Sequence, residues 1–399
     1  MGAGAAGLFA AIQLDERLNV LILEKKSKPG MKLLMSGAGR CNITNSKPIR
    51  EFLEHYNDKK RFIQHAIHKY TNTDLIKLLN TNRINTTIDK NGKVFPASQS
   101  AKDVLNLFLY LCKRNKVEIK YSSPIINTDK QEELFTVRTE QAEYKCKHLI
   151  IASGGRSYPT TGSTGDGYSI ANSFGHNIIP PKPALTPVFI EKFKFASISG
   201  ISLNDRTIDL YRNNKKIHSH IGDILFTHKG LSGPGILDFS RYFEIGDQLR
   251  INLIDIKSEE CNAELIELAQ SQGAIQIKTA LKRWNLPENL ILILLEEAGI
   301  IPDKKISEIS KAARIRIVNL LTACPFSIDR IGGYNIAMTT AGGIDTKEIN
   351  PKTLMSNLIP NLFCIGEVLD IDADTGGYSL QAAFSTAYSA VTYINSSLS

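Results

Sequence analysis

The chain opens on MGAGAAGLFAAI, in which Gly2, Gly4 and Gly7 spell G-x-G-x-x-G. In that spacing the first glycine makes a tight turn, the second lets backbone approach a pyrophosphate, and the third lets a helix pack closely on a strand. Alone the pattern is weak. It gains meaning from residues 19–26 (NVLILEKK), an apolar run that reads as a strand buried on both faces and ends in Glu24 and Lys25. A carboxylate at that distance from the glycines accepts hydrogen bonds from ribose hydroxyls. Ala5 and Ala6 open the intervening helix, whose first N–H groups and positive dipole end favour a phosphate. The fold class is therefore α/β, with a Rossmann-like dinucleotide-binding sheet. The strand that should precede the glycines is missing, since only Met1 stands before Gly2. A first strand lies centrally in such a sheet, and its loss would leave neighbouring N–H and C=O groups unpaired. We therefore expect a few apolar residues upstream in the natural chain, and tighter cofactor binding in a form that carries them.

A chain of 399 residues has room for a second domain or a large insertion. Its longest apolar run, residues 290–295 (LILILL), is flanked by Glu288 and Glu296 and is too short to cross a bilayer. No basic, then apolar, leader opens the sequence, so the cytoplasm is the expected location. The cysteines (Cys41, Cys112, Cys146, Cys261, Cys324 and Cys364) show no C-x-x-C and no metal-ligand spacing, which argues against a structural metal or a disulfide framework. A net charge of +8 admits phosphate-bearing partners, but the lysines are scattered, and runs such as residues 58–61 (DKKR) are short. That distribution favours a solvated basic surface over a nucleic-acid face, and a small-molecule substrate over a nucleic acid or membrane partner. The oligomeric state is not legible.

Further along, helical spacing appears over 72–80 and 100–113, with GKVFP as a short strand between them. Residues 117–146 alternate and turn often, as a small antiparallel layer does. Residues 147–176 repeat the opening logic of buried strand, glycine turn (Gly154, Gly155) and helix. From 185 to 257 the pattern is that of a β-rich unit, and from 258 to 328 it is helical. The end of the chain returns to a buried strand, a GE turn and a long helix. We read a discontinuous nucleotide-binding domain (1–184 and 329–399) interrupted by an insert at 185–328. In CIGEVLD, Glu367 stands at a strand end where a carboxylate can reach a ribityl chain or its phosphates. In TGGYSLQAA, backbone N–H groups at 377–381 can point at an electron-rich ligand edge.

Taken together and in order, GAGAAGL, LLMSGAGRCNITN, ASGGRSYPTTGSTGDGY, ILFTHKGLSGPGIL, TTAGGID and IGEVLDIDADTGGYSLQAAFSTA resemble the BaiN/YhiN-type family of bacterial FAD-dependent oxidoreductases. The resemblance implies an FAD domain interrupted by a substrate-facing insert of barrel and helical parts. It places Gly2, Gly4, Gly7 and Glu24 on the ADP half of FAD, and Ser36, Gly37, Gly39, Arg40, Cys41 and Asn42 beside the flavin. Gly154 and Gly155 would make the crossover turn. Gly366, Glu367, Asp370, Gly377, Tyr378, Leu380 and Gln381 would hold the ribityl chain and ring. Ala38 stands where the family often has a third glycine.

Arg40, Tyr378 and His228 are the candidates for catalysis, each with a bland alternative: a surface cation, a packed aromatic, a turn residue. Cys41 has no second cysteine near it in sequence, which favours a packed thiol over a redox one. The resemblance implies flavin-mediated hydride transfer. One form is reduction of an activated double bond in an alicyclic enone, with NAD(P)H as a transient donor; the other is oxidation of an amine or aminoketone. The rival readings are a flavin-containing RNA-modification protein and a cofactor-poor scaffold that lacks its first strand.

Overall fold

The computed structural model describes residues 1–398 and divides into two compact units, Met1–Ala184 with Tyr334–Ser399, and Leu185–Gly333. The second unit ends at Gly333 rather than at 328, because Cys324–Ile331 is a strand of its barrel and not the end of a helical stretch.

The Rossmann sheet of the first unit is built from two parallel pairs, Leu21–Leu23 with Glu118–Lys120 and Leu149–Ile151 with Leu362–Cys364. Residues 1–3 run between them. Gly2 N–H donates to Leu23 O (2.8 Å), while Met1 N donates to Ile150 O (2.8 Å) and Ala152 N–H to Met1 O (3.0 Å). The central position expected to be vacant is thus held by three residues, which pair the exposed edges on both sides. Leu362, Phe363 and Cys364 are fully buried, as strands covered on both faces require.

Helix Ala5–Gln13 leaves this sheet and is wedged between helices Ala101–Arg114 and Tyr378–Ser396, with Phe9 5.1 Å from Phe384 and 6.1 Å from Phe108. In Ala101–Arg114 the buried Val104, Leu105, Phe108, Leu111 and Cys112 form one apolar stripe. Helix Asn72–Thr81 begins with a capping box between Thr71 and Asp74. Two small antiparallel layers complete the unit: Ile125–Gln131, Leu134–Thr139 and Glu143–Cys146 in one, and Thr44–Asn45, Lys93–Pro96 and Thr86–Ile88 in the other. Finally, Ile178–Ala184 and Thr339–Ile344, on either side of the insert in sequence, pair as an antiparallel ribbon.

The second unit is a closed six-stranded barrel, in the order Val188–Ile190, Gly230–Ser232, Lys215–Phe226, Ser202–Arg212, Gln248–Ile251 and Cys324–Ile331. Alternate residues fill it: Ile208 and Leu210, Ile224 and Phe226, Leu249 and Ile251, Phe326 and Ile328. Its helices include Ser258–Ser271, Glu288–Glu297 and Lys311–Thr322, and they share its own hydrophobic core. Among the described residues no helix is long and apolar enough to cross a membrane.

Candidate cofactor and active site

The opening glycines divide their duties visibly. A Cβ on Gly7 would lie 2.0 Å from Gly2 O, and one on Gly2, at φ +98°, 2.6 Å from Ala152 O. Both positions are closed by backbone. A Cβ on Gly4 meets nothing within 4 Å, so the turn is open at the one glycine that must admit a ligand. Gly4 also caps helix Ala5–Gln13 without any side-chain cap, which leaves its first N–H groups to an anion. Glu24 is held against this turn: its carboxylate accepts from Ala3 N–H and from Lys26 N–H, both at 2.8 Å. Each oxygen keeps a lone pair for a ribose hydroxyl. Lys25 turns away to Asp166 (2.6 Å) and Thr164, so it pins the neighbouring loop rather than the ribose.

Next to the turn lies a charged network whose lysines the sequence did not single out. Lys32 Nζ donates to Glu367 (2.6 Å) and to Ser157 Oγ (2.5 Å), and Glu367 Oε1 also accepts from Thr340 N–H (3.0 Å). A Cβ on Gly155 would strike Thr340 Oγ1 and Glu367 Oε1, so this glycine makes room for the network. Asp370, nearly buried, is shared between Lys59 (2.6 Å) and Gly342 N–H (3.1 Å). Gly366 packs on Ala6 at the start of the first helix and donates to Thr386 Oγ1 (3.0 Å), which ties the GE turn to the glycine turn.

The S-G-A-G-R-C-N loop and the T-G-G-Y loop, far apart in sequence, are stitched together. The Asn42 side chain donates to Thr44 O (3.0 Å) and accepts from Gly377 N–H (3.1 Å), and Asn45 Nδ2 donates to Gly376 O (3.1 Å). A Cβ on Gly377 would lie 2.4 Å from Thr44 O. Within the first loop Gly37, Ala38, Gly39 and Cys41 all have positive φ, so the chain coils tightly there. Ser36 Oγ closes on Leu33 O (2.7 Å). Arg40 is exposed, with its guanidinium 4.8 Å from the centre of the Phe95 ring. Cys41 is fully buried, and burial pushes its thiol up to about 11, which keeps it protonated and unreactive.

Two expectations need correction. Gln381 does not face a ligand: it is fully buried, its amide oxygen accepts from Thr44 Oγ1 (2.7 Å), and its nitrogen donates to Tyr70 O and Ser385 Oγ (both 3.0 Å). Of the N–H groups at 377–381, Gly377 is taken by Asn42 and Gln381 by Gly377 O (3.1 Å). Leu380 is half-buried. Tyr378 is 2% exposed and stacks on His55 at 3.9 Å, so it is a packed aromatic rather than a free acid. His228 is exposed in the turn after Lys215–Phe226, in the second unit. Gly154, with φ +74°, turns the chain after Leu149–Ile151.

Near these loops stands a titratable pair that includes a residue missed in the sequence. His55 Nδ1 lies 3.0 Å from Asp374 Oδ2, its Nε2 3.5 Å from Lys47 Nζ, and its ring is stacked on Tyr378. With Nδ1–H donated to the carboxylate, Nε2 carries the lone pair toward the ammonium. This chain can hold and hand on a proton. Nothing local marks His55; only the fold brings it to Asp374. A second chain, Glu348–His176–Ser356 (3.0 and 2.8 Å), has the outline of a nucleophile triad, but the His176 side chain has no exposure and Ser356 Oγ accepts from Leu358 and Ile359 N–H. It is a structural clip.

Comparison with known proteins identifies the family. A family model described as HI0933-like protein Rossmann domain matches residues 1–393. The chain belongs to the HI0933-like family. This HI0933-like chain is an enzyme of the FAD-dependent oxidoreductase class. It is similar to the ribosomal RNA dihydrouridine synthases of Haemophilus influenzae, with 35% identity covering 97% of this chain and 96% of that protein, and of Escherichia coli, with 31% identity covering 97% and 95%. It is also similar to the 3-dehydro-bile acid delta(4,6)-reductase of Clostridium scindens, with 27% identity covering 97% and 96%. Among solved structures, 3-ketosteroid delta1-dehydrogenase from Sterolibacterium denitrificans aligns with a TM-score of 0.50 and 12% identity, covering 99% of this chain and 98% of that one, a likeness of fold.

Proposed function

We propose that the protein is a flavin-dependent reductase of uridine in ribosomal RNA. The observation that carries this reading is the identity of 35% and 31%, over nearly the whole chain, to two enzymes named for that reaction, against 27% to the bile-acid reductase. The chemistry is continuous between them. The uracil C5=C6 bond is conjugated to a carbonyl, as is the double bond of a 3-oxo steroid enone, so hydride adds to the far carbon and a proton to the near one.

The residues of the first unit suit FAD. The open Gly4 position and uncapped first helix would take the pyrophosphate, and Glu24 the adenosine ribose. The Lys32–Glu367–Ser157 network would border the ribityl chain, and the joined loops around Asn42 and Gly377 the ring. Bound FAD would supply hydride chemistry, with a nicotinamide dinucleotide as the transient donor that recharges it. The chain's own part is to orient the base, exclude water and deliver the proton. His55, steadied by Asp374, would relay a proton from the neighbouring Lys47 ammonium, and it is the residue to which we assign proton delivery.

Charge supports an RNA substrate more than the raw sequence suggested. Helix Lys60–Lys69 carries Lys60, Arg61, His65, His68 and Lys69 and no carboxylate. His65 is held below its ordinary range first by burial and then by Lys69, Lys352 and His68, which lie close to it, while Lys60 is paired with Glu54. The test is deletion of the gene followed by mass spectrometry of nucleosides from purified ribosomal RNA. Dihydrouridine should disappear and return with the wild-type gene; unchanged dihydrouridine overturns the reading.

A further inference from the structure

The second unit carries a groove of about 580 Å3, lined by strand Gln248–Ile251, helix Lys311–Thr322 and the start of strand Cys324–Ile331. That volume is within the range of ligand sites, but the lining is not that of an apolar pocket. Two arginines, Arg250 and Arg316, face it together with Asn319. Each guanidinium is fixed at one end only. Arg250 Nε donates to Gln248 Oε1 (2.9 Å) while its plane lies 4.1 Å from the centre of the Tyr211 ring. Arg316 Nε donates to Ala298 O (2.9 Å). Among the described residues the remaining N–H donors of both forks have no protein partner. The one carboxylate in the lining, Glu297, is paired with Lys194 at 2.7 Å.

Two anchored guanidiniums with idle forks and a neutralised carboxylate make a site for a doubly hydrogen-bonding anion. A planar fork matches a phosphate far better than it matches water or chloride, and anchoring at Nε means little side-chain freedom is lost on binding. Asn319 adds a neutral donor and acceptor of the kind that meets a ribose or base edge. We propose that this groove seats a phosphate ester, namely a phosphodiester of the RNA strand. The inference rests on the ribosomal RNA reading above and extends it to a second contact outside the flavin unit.

The test uses the FAD-loaded full chain and a transcribed ribosomal RNA fragment, with binding measured by fluorescence anisotropy across a salt series. The double variant Arg250→Gln/Arg316→Gln should weaken binding by about tenfold or more and reduce the log–log salt slope by about one to two. Arg250→Lys/Arg316→Lys, which keeps the charge but loses the fork, should fall between. Retained flavin absorbance and melting temperature report that the variants fold, and Arg316→Gln alone, on an exposed helix position, serves if the double variant does not. Unchanged affinity and slope overturn the proposal. If the wild type binds no RNA, the ribosomal RNA reading fails, and titration with inorganic pyrophosphate then decides the site. Binding that is lost in the double variant keeps a free phosphate ester as the ligand, and no binding overturns the groove as well.

Discussion

At the scale of single residues, one missing Cβ means different things at different positions. Gly7→Ala pushes a methyl into Gly2 O and should cost about 2 kcal/mol or more of stability, with loss of bound flavin. Gly4→Ala fills space that only a ligand would use. Its melting temperature without cofactor should stay near wild type, while FAD affinity drops about tenfold, or about 1.4 kcal/mol, in a fluorescence titration. An equal loss of stability in both variants would refute this division of roles. Ala38 is the converse case, a non-glycine at φ +57° beside two glycines in the same left-handed region. Ala38→Gly should stabilise the protein by about 0.5–1 kcal/mol in denaturant titration, since the relief of left-handed strain exceeds the entropy glycine loses.

Elements explain what these residues could not announce. The glycine turn, Glu24 and the GE and GGY segments were legible because each is a local pattern with a local cause. The antiparallel layer within 117–146, the β-rich run of the insert and the long terminal helix were legible from periodicity, whereas of the layer formed by Thr44–Asn45, Lys93–Pro96 and Thr86–Ile88 the sequence shows only the GKVFP strand. His55, Lys32, Lys59 and Asn45 were not, because their partners lie hundreds of residues away and no spacing encodes them. Gln381 misled for a related reason: a polar side chain at a helix start reads as a ligand donor until Thr44, Tyr70 and Ser385 are seen around it. For the His55–Asp374 pair we expect His55→Asn to leave FAD affinity unchanged and to lower turnover by about a hundredfold. Reduction of the flavin by a nicotinamide dinucleotide should be spared. Equal loss in both half-reactions would assign His55 a structural role instead. Histidines also set a pH dependence. Burial, and then Lys147, lowers His148 below its ordinary 6.5, and His65 is lowered likewise. The unfolded chain therefore binds more protons in that window, so their contribution to stability is complete above pH 6.5 and fades as pH falls toward the lowered values. Melting temperatures at pH 7.5 and 5.5 should differ less in a His65→Gln/His148→Gln variant than in the wild type.

For the whole molecule, the two units have separate cores, one holding the dinucleotide features and the other a closed barrel with its helices. Replacing residues 185–333 by the matching segment of the Clostridium scindens relative should yield a chimera with flavin absorbance, reducible by a nicotinamide dinucleotide, but with altered RNA binding. A colourless, aggregated product would contradict that independence. The reason to expect success is the antiparallel ribbon, in which Ala184 pairs with Thr339 across the point where the chain leaves and returns. The ends of the insertion are thus held side by side by strands belonging to the first unit. Gene exchange at those two seams needs no new closure of the backbone, so a lineage can replace the whole barrel unit while leaving the sheet that carries the glycine turn unbroken.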